Sequence, residues 1–157
     1  MKANLVSQCQ MVIIIIIIII IIIIIIIIII IIIIIIGKGT KLYVDGDVYI
    51  GDFKDGVING YGRYKFDDES FYEGDWLSGE RHGFGLYNDG RGTVYSGEFF
   101  DGCMSGFGKI TFSDMTSYEG EWKQNRWDGV GTKTDCNGNV TKGNWSEGRL
   151  VSNNDRK

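Results

Sequence analysis

The strongest constraint on this chain is a 23-residue period. Tyr49, Tyr72, Tyr95 and Tyr118 open four copies, and Thr141 opens a decayed fifth. Two places on, each copy has Gly51, Gly74, Gly97, Gly120 or Gly143. Four places on it has an aromatic ring: Phe53, Trp76, Phe99, Trp122 or Trp145. Gly56, Gly79, Gly102, Asn125 and Gly148 follow at the seventh place. The four full copies close on Gly60/Gly62, Gly83/Gly85, Gly106/Gly108 and Gly129/Gly131. Without insertions between copies, this pattern demands an array of one repeated supersecondary unit.

Within a copy, Val48 to Lys54 alternates as a strand does. Asp55 to Gly60 reads as a turn and Tyr61 to Phe66 as the return strand, with Asp67 to Ser70 leading to the next copy. Hairpins laid side by side give an all-β fold, one elongated single-layer antiparallel sheet, preceded by a hydrophobic helix. Tyr49, Gly51, Phe53, Tyr64 and Phe66 share one face, the only one apolar enough to be a core. The other face carries Asp52, Asp75, Glu98 and Glu121, which the spacing predicts to pair with Arg63, Lys65 and Lys109. A single sheet has no second layer, so the ring face is expected to stay partly uncovered as a groove.

The pattern Y-x-G-x-[FW]-x-x-G-x-x-x-G-x-G resembles the MORN (membrane occupation and recognition nexus) repeat family over about residues 37 to 148. The resemblance implies a scaffold at membranes or the cytoskeleton that binds partner proteins or phospholipids. On that basis the expected partner contacts are Tyr49, Phe53, Tyr72, Trp76, Tyr95, Phe99, Tyr118 and Trp122, as buried rings dominate such interfaces. Asn125 and Thr141 depart from the family pattern, so that end of the groove is expected to be irregular. An intracellular setting, cytoplasmic or cytoskeletal or at a membrane, fits both the family and the cysteines. Cys9, Cys103 and Cys136 are odd in number and lack metal-type spacing.

Ahead of the array, Ile13 to Ile36 is one homopolymer. Met11 to Ile36 as a helix would be about 39 Å long, enough for a ~30 Å hydrocarbon layer. Gly37 and Gly39 lie 23 residues before Gly60 and Gly62, so they are the tail of a copy whose body is isoleucine. Two readings stand: a membrane span, or a low-complexity insertion by codon expansion, filled gap or mistaken translation. Lys2 on one side and Lys38 and Lys41 on the other leave the orientation of a span undecided. The divisions expected are residues 1–36 for the tract, 37–150 for the array and 151–157 for a polar tail.

After the tract lie fifteen basic and twenty acidic side chains, a net charge of −5. That balance argues against nucleic acid, whose phosphates need a basic footprint. Catalytic signatures are wanting. His82, the sole histidine, shares its column with Asn59, Ser105 and Asp128 and reads as a turn residue. The Gly-x-Gly pairs lack the third glycine of a dinucleotide loop, and Gly106-Phe107-Gly108-Lys109 is an incomplete P-loop. Asp135-Cys136-Asn137-Gly138-Asn139 begins like a calcium loop but has Val140 where the glycine belongs. The expectation is a binding module without catalysis, cofactor or metal, taking a protein partner or, alternatively, a phospholipid surface.

Overall fold

Each copy reverses on two residues with left-handed backbone: Asp55-Gly56, Ser78-Gly79, Asp101-Gly102, Gln124-Asn125 and Glu147-Gly148 all have φ between 45° and 89°. Positive φ at both positions makes these the tight primed turns whose twist suits flanking strands. Asn125 keeps the geometry because asparagine tolerates left-handed backbone better than other non-glycine residues. Its side chain also accepts a hydrogen bond from Met104 N at 2.8 Å.

In the computed structural model, which describes residues 2–153, with side chains at 11–30 and 37–153, the turns join strands of one sheet. After helix α1 (Lys2–Ile36) come β1 (Lys38–Leu42), β2 (Val48–Lys54), β3 (Val57–Lys65), β4 (Phe71–Leu77), β5 (Glu80–Asn88) and β6 (Val94–Phe100). The series continues with β7 (Cys103–Thr111), β8 (Ser117–Lys123), β9 (Arg126–Thr134), β10 (Val140–Ser146) and β11 (Arg149–Asn153). Among the described residues these eleven strands form one open antiparallel sheet in strict chain order. The expected all-β single layer is therefore the observed architecture.

Two expectations about the strands are corrected. The turn expected over Asp55 to Gly60 is confined to Asp55 and Gly56, and β3 already starts at Val57. The polar tail expected from residue 151 supplies Val151, Ser152 and Asn153 to β11, and residues 154–157, with Asn154, lie outside the described residues.

The stretch taken for turn is instead a bulge. Gly51 pairs with Gly62 and Phe53 with Ile58, so Asp52 alone faces Asn59, Gly60 and Tyr61. Asp75, Glu98 and Glu121 face three residues in the same way. Gly60, Gly83, Gly106 and Gly129 hold positive φ in these bulges. His82 accordingly sits in the bulged part of β5 and not in a turn.

The second glycine of each pair answers to a different need. Gly62 and Gly85 have ordinary strand φ, but a Cβ on either would run into the Tyr49 or Tyr72 ring. Each tyrosine lies flat over a cross-strand glycine pair of its own copy, a known compensation for glycine in strands. Its hydroxyl donates to the backbone carbonyl three residues on: Tyr49 to Asp52, Tyr72 to Asp75, Tyr95 to Glu98 and Tyr118 to Glu121, at 2.9–3.0 Å. Burial of an aromatic body with a satisfied polar tip is what makes this arrangement stable.

Copies join through the same rings. Tyr49 meets Trp76 edge to face at 5.5 Å, Tyr72 meets Phe99 at 4.9 Å, Tyr95 meets Trp122 at 5.1 Å, and Tyr118 meets Trp145 at 5.5 Å. Within copies the same tyrosines meet Phe53, Trp76, Phe99 and Trp122 at 5.0–5.5 Å. One unbroken edge-to-face row therefore runs from Phe53 to Trp145. Trp76, Trp122 and Trp145 add an indole N–H donated to the carbonyls of Gly62, Gly108 and Gly131.

The decayed fifth copy lacks its tyrosine. Leu150 covers Gly143 in its stead, where an added Cβ would come 2.6 Å from Leu150 Cδ1. At the other end β1 pairs with β2 in the register of the full copies, Gly39 opposite Gly51. The tail of an incomplete copy, read from Gly37 and Gly39, is thus a real strand of the sheet.

Helix α1 belongs to a compact unit separate from the sheet. Isoleucine disfavours helix in water through its branched Cβ, so this helix owes nothing to propensity. Its Met11–Ile30 segment, 20 residues of mean hydropathy 4.5, is long and apolar enough to cross a membrane by length and composition.

The two glycine roles separate by mutation. Gly85→Ala, blocked by the Tyr72 ring, should cost about 3 kcal/mol. Gly56→Ala, with no atom within 4 Å but φ of 78°, should cost only about 1 kcal/mol. Urea unfolding of the two variants followed by tryptophan fluorescence measures both, and equal losses would contradict the ring-over-glycine account.

Candidate binding surface

Of the eight rings expected to contact a partner, seven lie in the core. Tyr49, Tyr72, Tyr95, Tyr118, Trp76, Phe99 and Trp122 are buried, none above 8% exposure, and Phe53 is half-buried. The expectation of an open ring groove is corrected here: glycine slots let each tyrosine sink to the backbone, and its neighbours close over it. What stays partly accessible on that face is an outer row, Tyr43, Tyr64, Tyr87, Met104, Phe112 and Trp127.

The opposite face carries the exposed apolar row. Tyr61, Phe84, Phe107 and Val130 are 55%, 67%, 54% and 53% exposed, one per copy and each between the two closing glycines. They rise from the bulges of alternate strands, so neighbouring members stand about 9.5 Å apart. Tyr61, Phe84 and Phe107 line one open trough of about 490 Å³ with Leu86, Ser96 and the backbone of Gly74, Gly85, Gly97 and Gly108. Glycine strands make the floor, and that is why large exposed side chains leave a trough between them.

The acidic column fixes this row and does not form the expected ion pairs. Asp52 accepts from Tyr61 N at 2.9 Å, Asp75 from Phe84 N at 2.9 Å, Glu98 from Phe107 N at 2.8 Å and Glu121 from Val130 N at 3.1 Å. Each carboxylate satisfies an amide that the bulge takes out of the strand ladder. Arg63 pairs instead with Glu73 at 3.4 Å, Lys109 with Glu119 at 3.2 Å and Lys65 with Glu69 at 2.9 Å. Of these, Glu73, Lys109 and Glu119 line the trough, and each exposed pair contributes about 0–1 kcal/mol. Tyr61 donates to Glu73 Oε1 at 3.3 Å. Partial burial, then the Glu73 carboxylate, holds its phenol above the ordinary value.

Two further polar side chains stand apart from the row. His82 Nδ1 is buried without a hydrogen-bond partner, 3.9 Å from Asp101 Oδ1, and the ring lies 5.1 Å from Phe100. Asp135 Oδ1 accepts from the backbone of Asn137 and Asn139, both at 2.9 Å, closing its own loop. The Asn139 side-chain amide, which donates to Asp135 Oδ2 at 2.8 Å, and then those backbone bonds hold the Asp135 carboxyl below its ordinary value. Among the described residues no cluster of three or more His, Cys, Asp or Glu is arranged to hold a metal.

The family model for the MORN repeat matches four consecutive stretches, residues 49–71, 72–94, 95–114 and 118–140. The chain belongs to the MORN repeat family. No curated protein matches it significantly. MORN repeats are protein- or membrane-interacting scaffold modules, found in membrane-associated or cytoskeletal settings. In this MORN array the family's tyrosines, glycines and aromatics build the core, and the exposed row comes from a column that the repeat pattern leaves unspecified. The signal was readable: Gly60-Tyr61-Gly62, Gly83-Phe84-Gly85, Gly106-Phe107-Gly108 and Gly129-Val130-Gly131 all enclose an apolar residue.

Burial raises the buried phenols, that of Tyr49 and that of Tyr118 to about 12, with Tyr72 and Tyr95 shifted the same way. The Asp52 and Glu121 carboxylates add to the effect at Tyr49 and Tyr118. A phenol with a raised folded pKa favours the fold below the unfolded value near 10, and that preference disappears as pH climbs through the folded value. The array should therefore hold constant stability up to about pH 10 and lose it between about pH 10 and 12. Alkaline titration followed by circular dichroism and tyrosinate absorbance checks this. Tyrosines ionising near pH 10 with the sheet intact would refute it.

Proposed function

We propose that this MORN array is a non-catalytic scaffold that holds an apolar segment of a partner protein along Tyr61, Phe84, Phe107 and Val130. The observation that carries the reading is a contiguous exposed apolar row on a face already removed from the core. Exposed apolar surface of this extent marks an interaction site more often than chance. Aromatic rings supply large contact area at small entropic cost. Because the four residues rise from bulges held by Asp52, Asp75, Glu98 and Glu121, the surface is preorganised, and binding loses little to ordering.

The isoleucine helix supports a second, compatible reading, that the scaffold works at a membrane. Its apolar length is the observation in favour. The array's net negative charge gives no electrostatic attraction to anionic lipid, so the helix and not the sheet would be the anchor.

Two full-length variants divide these readings. Phe84→Ser with Phe107→Ser should keep the native circular dichroism, abolish partner co-purification and leave vesicle flotation unchanged. Ile20→Asp with Ile24→Asp should abolish flotation and keep partner capture. Unchanged capture by the first variant would dismiss the apolar row, and unchanged flotation by the second would dismiss the helix as anchor.

A further inference from the structure

Every complete copy flanks its return strand with a leading strand on one side, and β1 lacks that neighbour. It heads the strand order, so among the described residues only β2 bonds to it. Its sequence matches one particular return strand. Gly37-Lys38-Gly39-Thr40-Lys41 repeats Gly129-Val130-Gly131-Thr132-Lys133 of β9 at every place but the second. The glycine at the head of each is left-handed, with φ of 61° and 107°.

The leading strand that β9 receives is β8. Its register sets Gly120 opposite Gly131, Glu119 opposite Thr132 and Tyr118 opposite Lys133. The Tyr118 ring covers Gly131, and Glu121 accepts a hydrogen bond from Val130 N. On β1 the corresponding places are Gly39, Thr40, Lys41 and Lys38 N. A Cβ added at Gly39 would come 3.1 Å from the Phe53 ring, and among the described residues no tyrosine lies over it.

The chain's own preceding residues cannot supply such a strand. The leading strand needs glycine opposite the slot glycine. At Gly74, for example, a Cβ would lie 2.5 Å from the Gly85 Cα and 2.7 Å from the Tyr72 hydroxyl. A homopolymer of isoleucine offers no glycine in any register, and no tyrosine to cover the slot. Charge points the same way: β1 contributes Lys38 and Lys41 and no acid, and Lys38 reaches Asp52 only at 3.8 Å.

We propose that the free edge of β1 binds an extended acidic segment of a second protein, of pattern Tyr-acid-Gly-acid-aromatic, as an added antiparallel strand. Its tyrosine lies over Gly39, its second acid accepts from Lys38 N, and both acids face the Lys38 side. This is strand addition with backbone bonds for affinity and a side-chain slot for specificity. It requires nothing of the apolar row on the sheet face.

The probe is a fluorescent peptide carrying residues Ser117–Lys123, titrated by anisotropy into the full chain in detergent micelles. Saturable binding is expected, with a scrambled peptide failing to bind. Affinity should fall about tenfold or more for peptides with Tyr118→Ala or Gly120→Val, and for the protein with Lys38→Glu and Lys41→Glu. Phe84→Ser with Phe107→Ser should leave it unchanged. Equal binding of the scrambled peptide, indifference to Gly120→Val, or loss in the Phe84/Phe107 variant would each overturn the proposal, the last by placing the peptide on the sheet face.

Discussion

The whole array depends on a tyrosine ring lying on two glycines. A strand pair with side chains at these places would hold the ring several ångströms off the backbone, and a one-layer sheet has nothing beyond to close over it. With glycine at Gly51 and Gly62 the ring drops to the main chain and its hydroxyl reaches the Asp52 carbonyl. The tyrosine is then fully buried without a second layer. A sheet that should have needed a helix or another sheet as cover makes its cover from its own rings.

The bulge follows from the same geometry. Tyr49 Oη bonds to the Asp52 carbonyl, at the place where the facing strand bulges out. The bulge takes up the extra residues and is closed by the Asp52 side chain bonding to Tyr61 N. One residue thus serves both sides of the sheet, its carbonyl to the buried ring and its carboxylate to the exposed row. This links core to surface. The side chains at 61, 84, 107 and 130 are presented outward because the glycines beside them are fixed by what happens underneath.

Much of this was legible from the period alone. Hairpin copies, a single antiparallel sheet, the ring face as core and the repeat tail at Gly37 and Gly39 all followed from spacing. The burial of the rings did not, because a single sheet lacks a second layer and the depth to which a glycine pair lets a tyrosine sink shows only in the folded sheet. The bulge was also hidden. Asn59-Gly60 has turn composition, and only the pairing of Phe53 with Ile58 shows the chain already in a strand there. With the bulge unseen, Asp52 looked free to pair with Arg63, and the apolar column at 61, 84, 107 and 130 was not set apart from the rest of the return strands.

The joints between copies are unequal in chemistry. Where the fourth-place aromatic is tryptophan, its indole donates to the previous copy's Gly62, Gly108 or Gly131 carbonyl. Phe99 cannot do so, and the joint between the second and third copies lacks that bond. There Arg81 takes over: it donates to the Gly102 carbonyl at 2.7 Å, and its guanidinium lies 5.4 Å from the Phe99 ring centroid. The equivalent places hold Ile58, Met104 and Trp127, none of which offers a cation. In a repeat array stability is a sum over units and their nearest-neighbour interfaces, so a weak joint would let the sheet open in the middle. The single arginine in that column stands at the joint where tryptophan is missing, and its two contacts span the same two copies that the indole bond joins elsewhere.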